Sequence, residues 1–246
     1  MGILIFVPKK HKMLHFSLCK HLNMDKNIQV VMSFIEELFD DNKKMGQIFI
    51  WAALLGAIVA VIGIIAAAFI DNIEIVAVIF SAVGTFVSAY LLYQFGVELR
   101  DNSTDKVPIP VITKIIGPFI DHSDPLTRVS IFSGIVKLIG ISLIVSGLFT
   151  AIGMVAAGLG AVGIGTAVLM ILIGLVFLWA SREISKGGDH SFMWILLLIL
   201  FILSLLVALI SLFNIATLAQ GLLWLILSGY AIYLCMSDQV KAQMKA

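Results

Sequence analysis

Charge is scarce in this sequence, and the scarcity sets the first limit on what the chain can be. Only 13% of its 246 residues are Asp, Glu, Lys or Arg, about half of what a soluble domain carries. Proline is nearly absent: five residues, at positions 8, 108, 110, 118 and 125, none inside a long apolar run. All five histidines (11, 15, 21, 122 and 190) also fall outside those runs, so a serine–histidine dyad within them is excluded. No aspartate sits in the middle of a run, which removes an intramembrane aspartyl pair and the usual acidic proton relay. Neither H-E-x-x-H nor a P-loop occurs, so zinc-protease chemistry and ATP hydrolysis are not expected. The net charge of +1 argues against nucleic acid as a partner. Cys19 and Cys235 are the two cysteines, too few for a secreted disulfide framework. These absences predict a protein that is not an enzyme and holds no cofactor.

What remains is apolar. Hydrophobic residues make up 61% of the chain, and the mean hydropathy is +1.10. The opening "MGILIFVPKK" has too short an apolar run for a signal peptide, with its positive charge on the wrong side. Windows of about twenty apolar residues predict six membrane-spanning helices, at 47–70, 73–95, 129–154, 159–181, 192–213 and 216–236. The fold class is therefore all-α, a polytopic bundle over 46–237, with a cytoplasmic loop at 96–128 and a tail at 238–246.

Connections between the spans alternate in character. Those after the first, third and fifth are minimal ("DNIE", "AAGLG", "NIAT") and hold no Lys or Arg. The others carry Arg100, Lys106, Lys114, Arg128, Arg182 and Lys186, and both terminal segments are basic as well. By the positive-inside rule both termini are cytoplasmic, which predicts a multi-pass protein of the cell membrane. Trp51, Tyr90, Tyr93, Trp179, Trp194, Tyr230 and Tyr233 fall at the same ends, as an interfacial aromatic belt would. The sequon at Asn102 then lies in the cytoplasm and carries no glycan.

Three units repeat the order helix, tight turn, helix, charged exit, with exits "LLYQFGVELRD", "VFLWASREISK" and "AIYLCMSDQVK". Over residues 46–242 this layout resembles, in topology, the small three-hairpin membrane proteins grouped with the acid-resistance membrane protein family. The resemblance implies a six-helix bundle and assigns no residue a role.

Two segments outside the spans have patterns of their own. A basic tail at 1–26 holds His11, His15, Cys19 and His21, three of them at helical spacing and of types that suit zinc; an unstructured tail is the plainer reading. Next, 27–45 forms an amphipathic cytoplasmic helix with Ile28, Val31, Ile35, Leu38 and Phe39 on one face. Its polar face is acidic, which suits a protein surface better than an anionic leaflet. In the loop, 107–125 has proline at both ends and an apolar middle too short to span, which predicts a short interfacial helix.

Lys137 is the one Lys or Arg inside a span. With hydrocarbon beginning near Val129 it lies about 12 Å deep, at roughly 1.5 Å per residue. A central lysine costs about 2.5–3.5 kcal/mol, less when it snorkels, and helical side chains lean toward the N-terminus of their helix. Small residues share its face, including Gly134, Gly140 and Gly147, which marks close helix contact. Further small-residue stripes include Gly56 and Gly63 on the first helix and Gly84 on the second. Glu98 and Glu183 are the nearest plausible counter-charges. Two readings follow: a structural lysine in a bundle that acts by association, or a lysine lining a path for an anionic or polar solute. Expected partners are the lipid bilayer and a second copy or another membrane or cytoplasmic protein. The "GLGAVG" at 158–163 matches a dinucleotide-binding pattern, but an apolar helix precedes it where a strand is needed.

Overall fold

The computed structural model describes residues 26–67, 69, 74–156, 158, 160–213 and 218–245. Among these residues the structure is helical, apart from one isolated antiparallel bridge between Asp189 and Lys245. In chain order the helices are α1 (Lys26–Asp40), α2 (Asn42–Ala67), α3 (Glu74–Asp101), α4 (Pro110–Ile116), α5 (Arg128–Ala156), α6 (Gly160–Lys186), α7 (Ser191–Ser211), α8 (Leu218–Cys235) and α9 (Asp238–Met244). The chain forms two compact units, one ending at Asp41 and the other beginning at Asn42. In the first, α1 leaves Phe34 65% exposed.

The long helices of the second unit form because their runs contain no proline and can satisfy every backbone group within the segment. Four of them are long and apolar enough to cross a membrane: Asn42–Ile65, Arg128–Ala156, Ile164–Lys186 and Ser191–Ile210. A fifth is obtained if Gly221–Cys235 and Asp238–Met244, bent by 67°, count as one broken span. The expected tail is thus in part a helix. It is anchored where Gly188 and His190 donate to the carbonyls of Gln243 and Met244, while the Lys245 ammonium lies 4.1 Å from the centre of the Trp194 ring. At the entrance to α7 the Ser191 hydroxyl and amide hold the Asp189 carboxyl below the usual carboxylate range.

Consecutive long helices pack on one another as α2 with α3, α5 with α6 and α7 with α8, while α3 against α5 joins the first two pairs. The register is antiparallel throughout. Ser133 meets Ser181, Gly140 meets Gly174, and Gly147 meets Ala167 across α5 and α6. The Ser88 and Ser146 hydroxyls approach to 3.5 Å across α3 and α5. Aromatic side chains fill the charged end of the bundle: Phe49 lies between Phe95 and Tyr230, and Phe201 between Phe132 and Phe177. Apolar side chains such as Ile62, Leu169 and Val207 remain more than half exposed. In water this would be a large unfavourable surface.

Candidate functional site

The site is built on a loop rather than a cavity. Helix α4 starts on Pro110 and stops at Gly117, whose φ of +69° is the left-handed geometry glycine supplies without strain. A helix end leaves carbonyls without intrahelical donors. Here the Lys137 ammonium supplies them, donating to the Ile116 carbonyl at 2.7 Å and the Pro118 carbonyl at 2.8 Å. A cation at a helix C-terminus also meets the favourable end of the backbone dipoles. The Phe119 ring centre lies 5.7 Å from the same nitrogen.

The next residues of the loop are held with the opposite sign. Glu98 is fully buried on α3, one turn after Gln94, which is fully buried too. Gln94 Nε2 donates to Glu98 Oε1 at 2.8 Å, and the amides of Phe119 and Ile120 donate to Oε2 at 2.7 and 3.1 Å. His122 Nε2 stands 4.0 Å from Oε2. Each side chain therefore takes the half of the loop backbone that matches its charge. Lys137 takes carbonyls and Glu98 takes amides, across a stretch of five residues.

Of the expected counter-charges, Glu98 does attract Lys137, but at a distance. Lys137 and Glu98 are not in ion-pair contact, because peptide dipoles of the intervening loop satisfy both. Glu183 is engaged elsewhere, with Lys186 at 2.8 Å and His190 Nε2 at 3.8 Å.

Gly134 lets the loop come this close. A Cβ there would stand 2.8 Å from the Phe119 carbonyl oxygen and 3.2 Å from Ile120 and Phe95 atoms. Ser130 completes the clasp, accepting from the Asp121 amide at 2.7 Å and donating to the Asp121 carbonyl at 3.0 Å. Phe119 and Ile120 are buried as a result.

The other small residues named from sequence divide into two groups. Gly140 and Gly147 sit in a seam, where a Cβ would come within 2.9 Å of the Gly174 and Ala167 carbonyl oxygens respectively. A Cβ on Gly84 would touch Phe149 at 3.3 Å. Gly56 makes only ordinary contacts, the nearest at 3.7 Å, and Gly63 has nothing within 4 Å, so it belongs to no seam among the described residues. Stripes drawn from spacing cannot tell a packed face from an open one.

Sequence reasoning missed Gly46 and Gly96, whose would-be Cβ atoms stand 2.6 and 2.8 Å from each other's carbonyl oxygens, and Gly174, at 2.7 Å from the Gly140 oxygen. A signal was available for Gly174: a lone glycine deep in a helix costs about 1 kcal/mol relative to alanine and so points to close approach. The cluster in which Ser133 Oγ contacts the Ser181 and Ser185 hydroxyls at 3.0 and 2.9 Å was missed as well.

Beside the clasp, a cleft of about 550 Å³ opens between the ends of α5 and α6, α9 and the loop. Asp121, Ser130, Gln239 and Gln243 are among the side chains lining it. Among the described residues no three His, Cys, Asp or Glu side chains gather as metal ligands would. The His11, His15, Cys19 and His21 face lies outside the described residues. At "GLGAVG", α5 ends at Ala156, Gly158 adopts a φ of +70° and α6 begins at Gly160, so a helix stands where the dinucleotide motif needs a strand. Compared with known proteins, the chain matches no family, no curated protein and no solved structure.

Proposed function

We propose that this chain is a six-span membrane protein that works by association with other proteins and not by catalysis or solute conduction. The observation that carries this reading is the commitment of Lys137 to the Ile116 and Pro118 carbonyls. A charge lining a solute path would instead have to exchange partners with the solute. Tight seams at Gly140, Gly147 and Gly174 support the same view, since they join helices by backbone contact.

Six spans require α3 and α8 to cross as well. Most polar residues of α3 (Ser88, Tyr90, Tyr93, Gln94, Glu98, Arg100 and Asp101) lie in its second half, and the interface would begin there. Loop basicity then puts both termini in the cytoplasm, and the three-hairpin likeness fits that arrangement.

Thiol accessibility tests the reading. In a chain carrying Cys19→Ser and Cys235→Ser, Lys137→Cys is expected to react slowly with a membrane-impermeant maleimide in inverted vesicles, while Lys114→Cys reacts quickly. Equal rates would mean that water reaches deep into α5, and conduction of an anionic or polar solute would replace association. Labelling of Lys114→Cys only from the outside would invert the orientation.

A further inference from the structure

The cleft of about 550 Å³ beside the clasp has firmly held walls. Its size falls within the range of specific ligand sites, roughly 300–1,000 Å³. Ser130 bonds both the amide and the carbonyl of Asp121, so the backbone there is fixed while the carboxylate is left over. On the opposite wall, α9 is held by the buried Val240 and Met244 and by the bond from the Gly188 amide to the Gln243 carbonyl. The Gln243 carboxamide rests against Gly187, where a Cβ would collide with it. Gln239 Oε1 accepts from the Arg128 amide at 3.1 Å, which fixes that side chain and leaves its Nε2 donors unused.

The unused groups specify what would fit. Among the described residues, the Asp121 carboxylate, Gln239 Nε2 and the Gln243 carboxamide make no hydrogen bond or ion pair. No Lys, Arg or His among these residues lines the cleft. The neighbouring ones are engaged elsewhere. The Arg128 guanidinium lies 5.4 Å from the centre of the Tyr233 ring, His122 faces Asn102 and Glu98, and Lys186 is paired with Glu183. The single formal charge of the cleft is thus an unpaired carboxylate, which calls for a cation. A guanidinium matches a carboxylate through two parallel N–H bonds. A carboxamide, with one acceptor and an NH₂ donor, is the complement of a peptide group. Side by side, these groups fit an arginine within a peptide better than a free ion.

We propose that this cleft binds an arginine-bearing segment of a cytoplasmic partner protein, with the guanidinium on Asp121 and the adjoining peptide group on the Gln239 and Gln243 carboxamides. This rests on the reading that the chain works by association, and gives that association a place and a chemistry. The cleft opens at the charged end of the bundle, so a soluble segment reaches it without entering hydrocarbon.

Saturation-transfer NMR on the full chain in detergent micelles tests it, with blocked tripeptides as probes. Acetyl-Gly-Arg-Gly-amide is expected to bind at least about tenfold more tightly than acetyl-Gly-Glu-Gly-amide, the scale of one charge-assisted hydrogen bond. Asp121→Asn keeps the shape of the side chain and strands no partner. It is expected to erase that difference while leaving the melting temperature unchanged. Absence of binding by the arginine peptide overturns the proposal, as does a preference that survives Asp121→Asn. Methylguanidinium binding as tightly as the peptide would also overturn it, in favour of a site for small organic cations. The labelling of Lys137→Cys separates this from the underlying reading: slow labelling with no peptide binding sinks only the cleft proposal, whereas fast labelling sinks association itself whatever the peptides do.

Discussion

The two halves of α5 are built on different principles. From Ile131 to Gly140 all but Lys137 are buried, and side chains from α3, α6 and the loop converge on this half. From Ile141 onward only Gly147 and Gly153 are buried. Among the described residues, the side-chain hydrogen bond on this half is the long Ser88–Ser146 contact. Both halves are apolar in sequence, yet one is a crowded protein interior knit by Ser133 and Lys137 hydrogen bonds and the other is an open apolar surface. Apolarity alone thus says little about where a bundle is held together. Polar side chains concentrate at the end where peptide groups without helical partners need them.

Mutations that strike the two halves unequally sharpen this comparison. The largest effect is expected at Gly140→Leu, whose side chain would collide with the Gly174 backbone. Overpacking of a core costs about 1–3 kcal/mol, and more where backbone must move, so the α5–α6 pair should fail to assemble. Gly63→Leu, with open space around it, should leave the melting temperature in detergent unchanged. If both variants melt alike, the seam is not where stability resides.

Glu98→Ala comes next. It strands the Gln94 amide and two loop amides, each at about 1–3 kcal/mol when buried. Thermal melting should show a large loss, and hydrogen exchange at Phe119 and Ile120 should accelerate. Unchanged protection at those two amides would refute the clasp.

Lys137→Met is expected to cost less. It removes two charge-assisted bonds of about 1.5–3 kcal/mol each but also the desolvation of an ammonium, which offsets much of that gain. A net loss of about 1 kcal/mol, with faster proteolysis in 117–123, would fit. Stabilisation would mean that the lysine is kept for a ligand alone.

Ser146→Ala in the sparse half should change stability by less than about 0.6 kcal/mol, the average for an interhelical hydrogen bond in a membrane. A larger effect would show that the outer half is more than a greasy surface.

The helices were legible in the sequence because apolar length and the placement of proline are local properties. The six apolar windows correspond to six long helices, of which four, or five with the bent pair, are long and apolar enough to cross a membrane, with ends displaced by a few residues where polar side chains continue the helix, as in α3 to Asp101 and α6 to Lys186. The short loop helix was readable from Pro110 and the apolar run behind it. Lys137 stood out because a charge in a hydrocarbon-length run is costly wherever it points.

What it bonds to was not readable. Charge pairing suggested Glu98, but the partners are carbonyls, which every residue carries and no sequence pattern displays. The same holds for the glycines. Gly63 and Gly140 look alike in a stripe, and only the approach of another backbone makes one indispensable and the other idle. Composition and periodicity thus determined that this chain forms long apolar helices with their charge gathered at one end. The tertiary structure decided which faces meet and how Lys137 and Glu98 divide the loop backbone between them. Both depend on distances between residues far apart in sequence, set only once the helices have packed.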